Sequence, residues 1–160
     1  MEYSTYQSIT GIIQNISTEN SCCTWMVSVR NGSDTVNFIV TGDTKIIDNT
    51  RLRRGMRITA FYDANLPAPA IFPPQFQAEL IVPLRNNQQV TLKYFDANLV
   101  AEDNSLKLNL SPLTNVVTEN GQRYRCAPGN AEMLVYYTST TFSIPPQTTP
   151  QKIIVMCPTE

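Results

Sequence analysis

A chain of 160 residues, 42% of them hydrophobic and 16% charged, holds one ordinary domain or two small ones with ample apolar material for a core. Lys plus Arg number 12 against 13 Asp plus Glu, so no basic excess marks the protein as an electrostatic glove for nucleic acid. Histidine is absent, which removes Ser-His-Asp and Cys-His nucleophile pairs, a proton shuttle near neutral pH and the commonest ligand of catalytic zinc.

Residues 1–10 (MEYSTYQSIT) carry neither a basic n-region nor an apolar h-region, so the chain as written reads as cytoplasmic; envelope association requires a leader that has been removed. No apolar run approaches the roughly 18 residues of a membrane span. Residues 7–17 (QSITGIIQNIS) read as a strand, bounded by a polar turn. Residues 24–30 (TWMVSVR) and 34–40 (DTVNFIV) flank Asn31-Gly32 as a hairpin whose turn takes positive φ at both positions. A short apolar piece at 45–48 leads to RLRRG at 51–55, a single helical turn or tight turn stopped by glycine. Residues 56–62 (MRITAFY) and 76–82 (FQAELIV) are strands separated by the proline-rich loop 63–75 (DANLPAPAIFPPQ).

The second half continues with strands at 90–101 and 105–110, a second Asn-Gly at Asn120-Gly121 between Val116-Val117 and 123–126, and closing strands at 133–138 and 152–157. No segment keeps a 3.6-residue apolar period over a helix of ordinary length. Cys22, Cys23, Cys126 and Cys157 form no CxxC pair and read as small buried hydrophobes.

The closing portions of the halves match. In each a glycine, Gly55 or Gly129, opens a strand ending in two aromatics, Phe61-Tyr62 or Tyr136-Tyr137. Each strand then enters a loop with an aromatic beside Pro-Pro-Gln, Phe72 with 73–75 or Phe142 with 145–147, before a last apolar strand. Duplication with divergence explains this joint agreement. The opening portions align only if the 44–52 piece is deleted from the second half, and the rival self-match DANL at 63–66 and 96–99 reads as coincidence. The strand count gives the expected fold: all-β, two tandem, diverged five-stranded OB-like Greek-key barrels, 1–83 and 84–160, packed against each other. The stretch FYDANLPAPAIFPPQFQAELIV resembles a motif of uncharacterised bacterial proteins in which small OB-like units carry a strand, YD-N-x-PAP, PPQ, strand signature, sometimes beside cell-envelope modules. The resemblance covers 54–82, is faint over 129–155, and implies a fold without an assigned activity.

The loop between the last two strands is the candidate ligand loop: Tyr62, Asp63, Asn65, Ile71, Phe72 and Gln75 in the first half, Tyr137, Phe142 and Gln147 in the second. Prolines restrict its backbone, so an aromatic held there loses little entropy on binding a sugar ring, a base or a protein side chain. The first expectation for Ile71 and Phe72 is nevertheless a lid folded over the core. Arg51, Arg53, Arg54 and Arg57 form the one basic cluster, and suit phosphates of single-stranded nucleic acid or simply a solvated turn. With no paired carboxylates, Gly-rich phosphate loop or calcium loop, no catalytic residue, metal or cofactor is assigned. The sequence therefore reads as a noncatalytic binding or scaffolding protein engaging a protein or glycan partner through its proline-rich loops. A single-strand nucleic-acid binder is the alternative.

Overall fold

The computed structural model describes residues 3–158, which form an all-β chain dividing into two compact units. Among the described residues, one unit spans Thr5–Asn86; the other runs from Asn87 to Pro158 and includes Tyr3 and Ser4.

The N-terminal unit contains β1 (Tyr6–Glu19), β2 (Ser21–Asn31), β3 (Asp34–Val40), β4 (Lys45–Ile46), β5 (Arg57–Asp63), β6 (Gln75–Gln77) and β7 (Leu80–Pro83), with a 3-10 turn at Ile47–Asn49. They form one sheet in the order β4-β7-β5-β1-β2-β3-β6. The long β1 serves two partners. Tyr6 to Ile12 pair antiparallel with β5, and Ile12 to Glu19 pair antiparallel with β2. At the changeover the backbones crowd so closely that a Cβ on Gly11 would overlap the Arg30 carbonyl oxygen. A bulge at Gln14 shifts the register just beyond it.

The β2–β3 hairpin forms where the sequence places it, with different turn chemistry. Asn31 pairs with Asp34, so the two-residue turn is Gly32-Ser33, with Gly32 at φ 64 and Asn31 in the strand. A glycine at the first central position is the II′ arrangement, which needs positive φ once rather than twice.

The strand expected at 76–82 changes partners halfway. β6 pairs parallel with β3 (Asn37↔Gln75), while β7 pairs antiparallel with β5 (Phe61↔Leu80) and parallel with β4 (Lys45↔Leu80). At the switch the Ala78 N–H donates to the Ile39 carbonyl (3.0 Å) and the Glu79 N–H to the Phe61 carbonyl (2.8 Å). The end strands β4 and β6 do not pair with each other, so the ladders leave this sheet open instead of closing the expected barrel. Alternation along the strands sends Val27, Val29, Phe38, Ile58 and Ile81 into one core in which each is 0% exposed.

The C-terminal unit contains β8 (Gln89–Phe95), β9 (Lys107–Leu108), β10 (Asn115–Thr118), β11 (Ala131–Tyr137), β12 (Gln147–Thr148) and β13 (Lys152–Val155). Four form a sheet in the order β10-β13-β11-β8, and β12 pairs with β9. Here too no barrel closes. The expected strand 90–101 ends at Phe95, because the Asp96 carboxylate accepts the N–H groups of Asn98 (2.8 Å) and Val100 (3.1 Å) and turns the chain away. In place of a strand like β2, only isolated bridges join Phe95 to Ala101 and Val100 to Lys107. Phe95, Met133, Val135, Ile153 and Val155 make this unit's core.

The pairings of the two units correspond. β8·β11 and β11·β13 are antiparallel, like β1·β5 and β5·β7, while β10·β13 and β9·β12 are parallel, like β4·β7 and β3·β6. The piece after Thr44 is therefore not missing from the second half; β10 occupies its place. The turns leading in match atom for atom. Thr44 Oγ1 accepts the Thr41 N–H (3.1 Å) and donates to the Ala78 carbonyl (2.9 Å). Thr114 Oγ1 accepts the Ser111 N–H (3.2 Å) and donates to the Pro150 carbonyl (2.8 Å).

All four cysteines are free and exposed, against the expectation of burial. Cys22 and Cys23 lie near the β1–β2 bend, where alternation no longer has a core to face, and Cys126 and Cys157 lie outside the strands. Among the described residues no helix is long and apolar enough to cross a membrane.

Candidate functional site

In the N-terminal unit the loop after β5 is started by Asp63. The Asp63 Oδ1 accepts the Thr5 hydroxyl (2.7 Å) and the Asn65 N–H (3.0 Å), and its carbonyl accepts the Leu66 N–H (3.1 Å). This side chain shapes the loop. Its return is fixed where the Asn37 N–H donates to the Pro74 carbonyl (2.9 Å). Between these anchors lies an open cleft of about 170 Å³, lined by Tyr62, Asp63 and Gln75 together with Ile39, Leu66, Phe76, Gln77 and the prolines 67 and 69.

Tyr62 is not a free stacking platform. Its ring lies against Phe76 at 4.0 Å and 14°, and both rings tilt against Phe38 at 6.2 and 6.3 Å. Phe76 is thus a member of the site that the sequence left in a strand. The signal was present: Phe76 follows Gln75 directly, at the position of β6 opposite Phe38.

Asn65 is exposed on the turn, and Phe72 stands apart from the cleft, 92% exposed, with Ile71 beside it at 53%. The lid expected from these two residues does not form. The peptides Phe72-Pro73 and Ile144-Pro145 are both cis.

In the C-terminal unit Phe142 is fully exposed and Ile144 is 92% exposed. Their loop is braced internally: the Thr141 N–H donates to the Gln147 carbonyl (2.9 Å), the Gln147 N–H to Thr141 Oγ1 (3.0 Å), and Thr148 Oγ1 to the Ser139 carbonyl (2.6 Å). Gln147 also accepts the Asn109 side-chain amide at 2.9 Å, which makes it a brace. Tyr137, half-buried at the base of the loop, has its phenol pushed above the usual tyrosine range by burial. It stays neutral at physiological pH.

A charge-free stretch surrounds each tip: no Asp, Glu, Lys or Arg occurs from 64 to 78 or from 133 to 151. The basic cluster is divided. Arg51 and Arg53 line an open cleft with Trp25, Arg54 is exposed in the turn before Gly55, and Arg57 is turned to the Arg85 carbonyl, its Nη1 donating at 3.4 Å. Among the described residues no three of Cys, Asp and Glu are grouped to hold a metal ion. Comparison with protein-family models, curated proteins and solved structures finds no match for this chain.

Proposed function

We propose that this protein is a noncatalytic binding module of two related OB-like units that docks on an uncharged, apolar surface of a partner protein through its two loop tips. The observation that carries the reading is the exposure of Phe72 at 92% and Phe142 at 104%, each on a proline-braced loop without charge. A large apolar ring held in water by a restrained loop is an anchor already ordered for a partner's pocket, so ordering costs little on binding. The stacking of Tyr62 on Phe76 covers a ring face that a sugar would need, and favours a protein over a glycan.

The OB-like reading is supported by the strand order. β1, β2 and β3 form a meander, β5 returns to β1, and the interrupted β6 and β7 reach β3 in parallel and β5 antiparallel. Duplication is supported by the corresponding pairings and by the matched Thr44 and Thr114 bonds.

The test places a photo-crosslinking residue at Phe72, at Phe142, or at exposed Asp34 as control, in the producing cell. One protein crosslinking from the tips and not from Asp34, with a purified complex lost in Phe72→Ser or Phe142→Ser, is the expected outcome. Crosslinking no stronger than the control, or binding to a glycan array abolished by the same substitutions, overturns the protein-docking reading.

A further inference from the structure

Outside the loop tips, the cleft beside Trp25 combines two chemistries that no core position needs. Along β2, Trp25 points to the same side as Val27 and Val29, which are wholly buried. Trp25 sits one step past that core, packed on its edge and half-buried, paired with Thr18 on one side and Val40 on the other.

Opposite it the chain is extended at Thr50, with φ −66 and ψ 135. Leu52 is 5% exposed and anchored in the same core, while its neighbours Arg51 and Arg53 are exposed. Successive side chains of an extended segment point to opposite sides, so burying Leu52 turns both guanidiniums outward. The resulting open cleft, about 420 Å³, is lined by Ile16, Trp25, Thr50, Arg51, Leu52 and Arg53. No carboxylate lines it, and among the described residues neither guanidinium makes a hydrogen bond or ion pair.

A partly buried indole with an edge open to the cleft, next to two unneutralised guanidiniums, matches a planar ring carrying an anion. The arginine fork fits phosphate oxygens, and the indole face fits a base. We infer that this cleft binds a phosphorylated nucleobase, with the ring on Trp25 and the phosphate on Arg51 and Arg53. Two sources share that chemistry, a single-stranded oligonucleotide and a free nucleotide. The near-neutral charge of the whole chain confines the attraction to this cleft, and the site stands independently of the loop tips.

Trp25 is the chain's one tryptophan, so intrinsic fluorescence reads stacking in the cleft directly. The full chain is titrated with oligothymidylate, with thymidine monophosphate and with thymidine, at two salt concentrations. Saturable quenching by a phosphorylated probe, stronger than by thymidine, is expected; R51A/R53A weakens it at least tenfold with an unchanged circular dichroism spectrum, and Phe72→Ser leaves it unchanged. For the oligonucleotide, two phosphate contacts give a slope of about −1.4 in log K against log salt. Quenching by the oligonucleotide alone identifies a strand as the ligand, and equal affinity for the monophosphate identifies the free nucleotide. No saturable quenching at low salt, equal quenching by thymidine, or undiminished binding in R51A/R53A overturns the assignment.

Discussion

Phe38 and Phe72 are the same side chain in opposite settings, 0% and 92% exposed. Truncating the buried ring removes its transfer energy and leaves a cavity, so Phe38→Ala is expected to destabilise the N-terminal unit by about 3–5 kcal/mol. Phe72→Ala removes a ring that already contacts water and should alter stability by less than about 0.5 kcal/mol. Urea denaturation of both variants checks the pair, and a loss of several kcal/mol from Phe72→Ala would restore the lid. Gly11 is the other position where one carbon decides the outcome. An added methyl would lie 2.7 Å from Val29 Cγ1 and 2.8 Å from the Arg30 carbonyl carbon, a backbone that β1 and β2 hold in register. Gly11→Ala is therefore expected to cost about 1–3 kcal/mol by overpacking, read as a lowered urea midpoint; Gly42, with open space around its Cα, tolerates the same change.

At the level of turns and strands, Thr44 and Thr114 offer a paired experiment. Each hydroxyl bridges its own turn to a carbonyl just before a closing strand, Ala78 ahead of β7 or Pro150 ahead of β13, so valine in its place removes a donor and an acceptor together. Thr44→Val and Thr114→Val should each destabilise by about 1–3 kcal/mol, and by similar amounts, because each hydroxyl makes the same pair of bonds. A loss in one unit alone, measured by hydrogen exchange of the β4·β7 and β10·β13 amides, would separate them. The strands of both units were legible in the sequence because a short apolar run bounded by turn residues is a local signal: MRITAFY and MLVYYT each read as strands. Their partners were not. Nothing in FQAELIV says that its first residues leave β5 and join β3; only the Ile39 and Phe61 carbonyls, far off in sequence, decide it. The repeated DANL shows the same division. At 63–66 and 96–99 the aspartate makes the same turn, accepting the N–H two residues on, yet the first copy ends β5 and the second ends β8. Likewise the loops were legible as binding candidates from proline and aromatic content, whereas exposure of Phe72 and burial of one face of Tyr62 depend on what packs from other strands. Trp25 was passed over because an alternating strand makes every large residue look like core.

For the molecule as a whole, the missing histidine sets how stability responds to pH. With none in the chain, the side chain whose ordinary titration lies between about pH 6 and 8 is missing, which removes the usual source of a stability slope there. The two perturbed groups lie outside that window. Partial burial raises the Asp103 carboxyl, but hydrogen bonds from Lys93 and Ser105 and the Lys93 charge outweigh it and hold the group below its ordinary 3.8. A folded value below the unfolded one means that its contribution is present above about pH 4 and is lost as pH falls through the lower folded value. The pair is half in solvent, with side-chain exposures of 34% and 53%, so that contribution is at most about 1 kcal/mol. Tyr137 has the opposite sign: burial raises its phenol above 10.0, so its contribution is present below that pH and lost as pH rises through the folded value. Stability in urea should therefore be flat within about 0.5 kcal/mol from pH 6 to 8, because Asp103 and Tyr137 both titrate beyond those limits. It should fall on the acid side below about pH 4, where Lys93→Met flattens a small part of the loss without moving the plateau. A slope between pH 6 and 8 would instead require a carboxyl raised, or one of the four free thiols lowered, into that window in the folded chain, and NMR titration of the carboxyl and cysteine Cβ carbons would locate it.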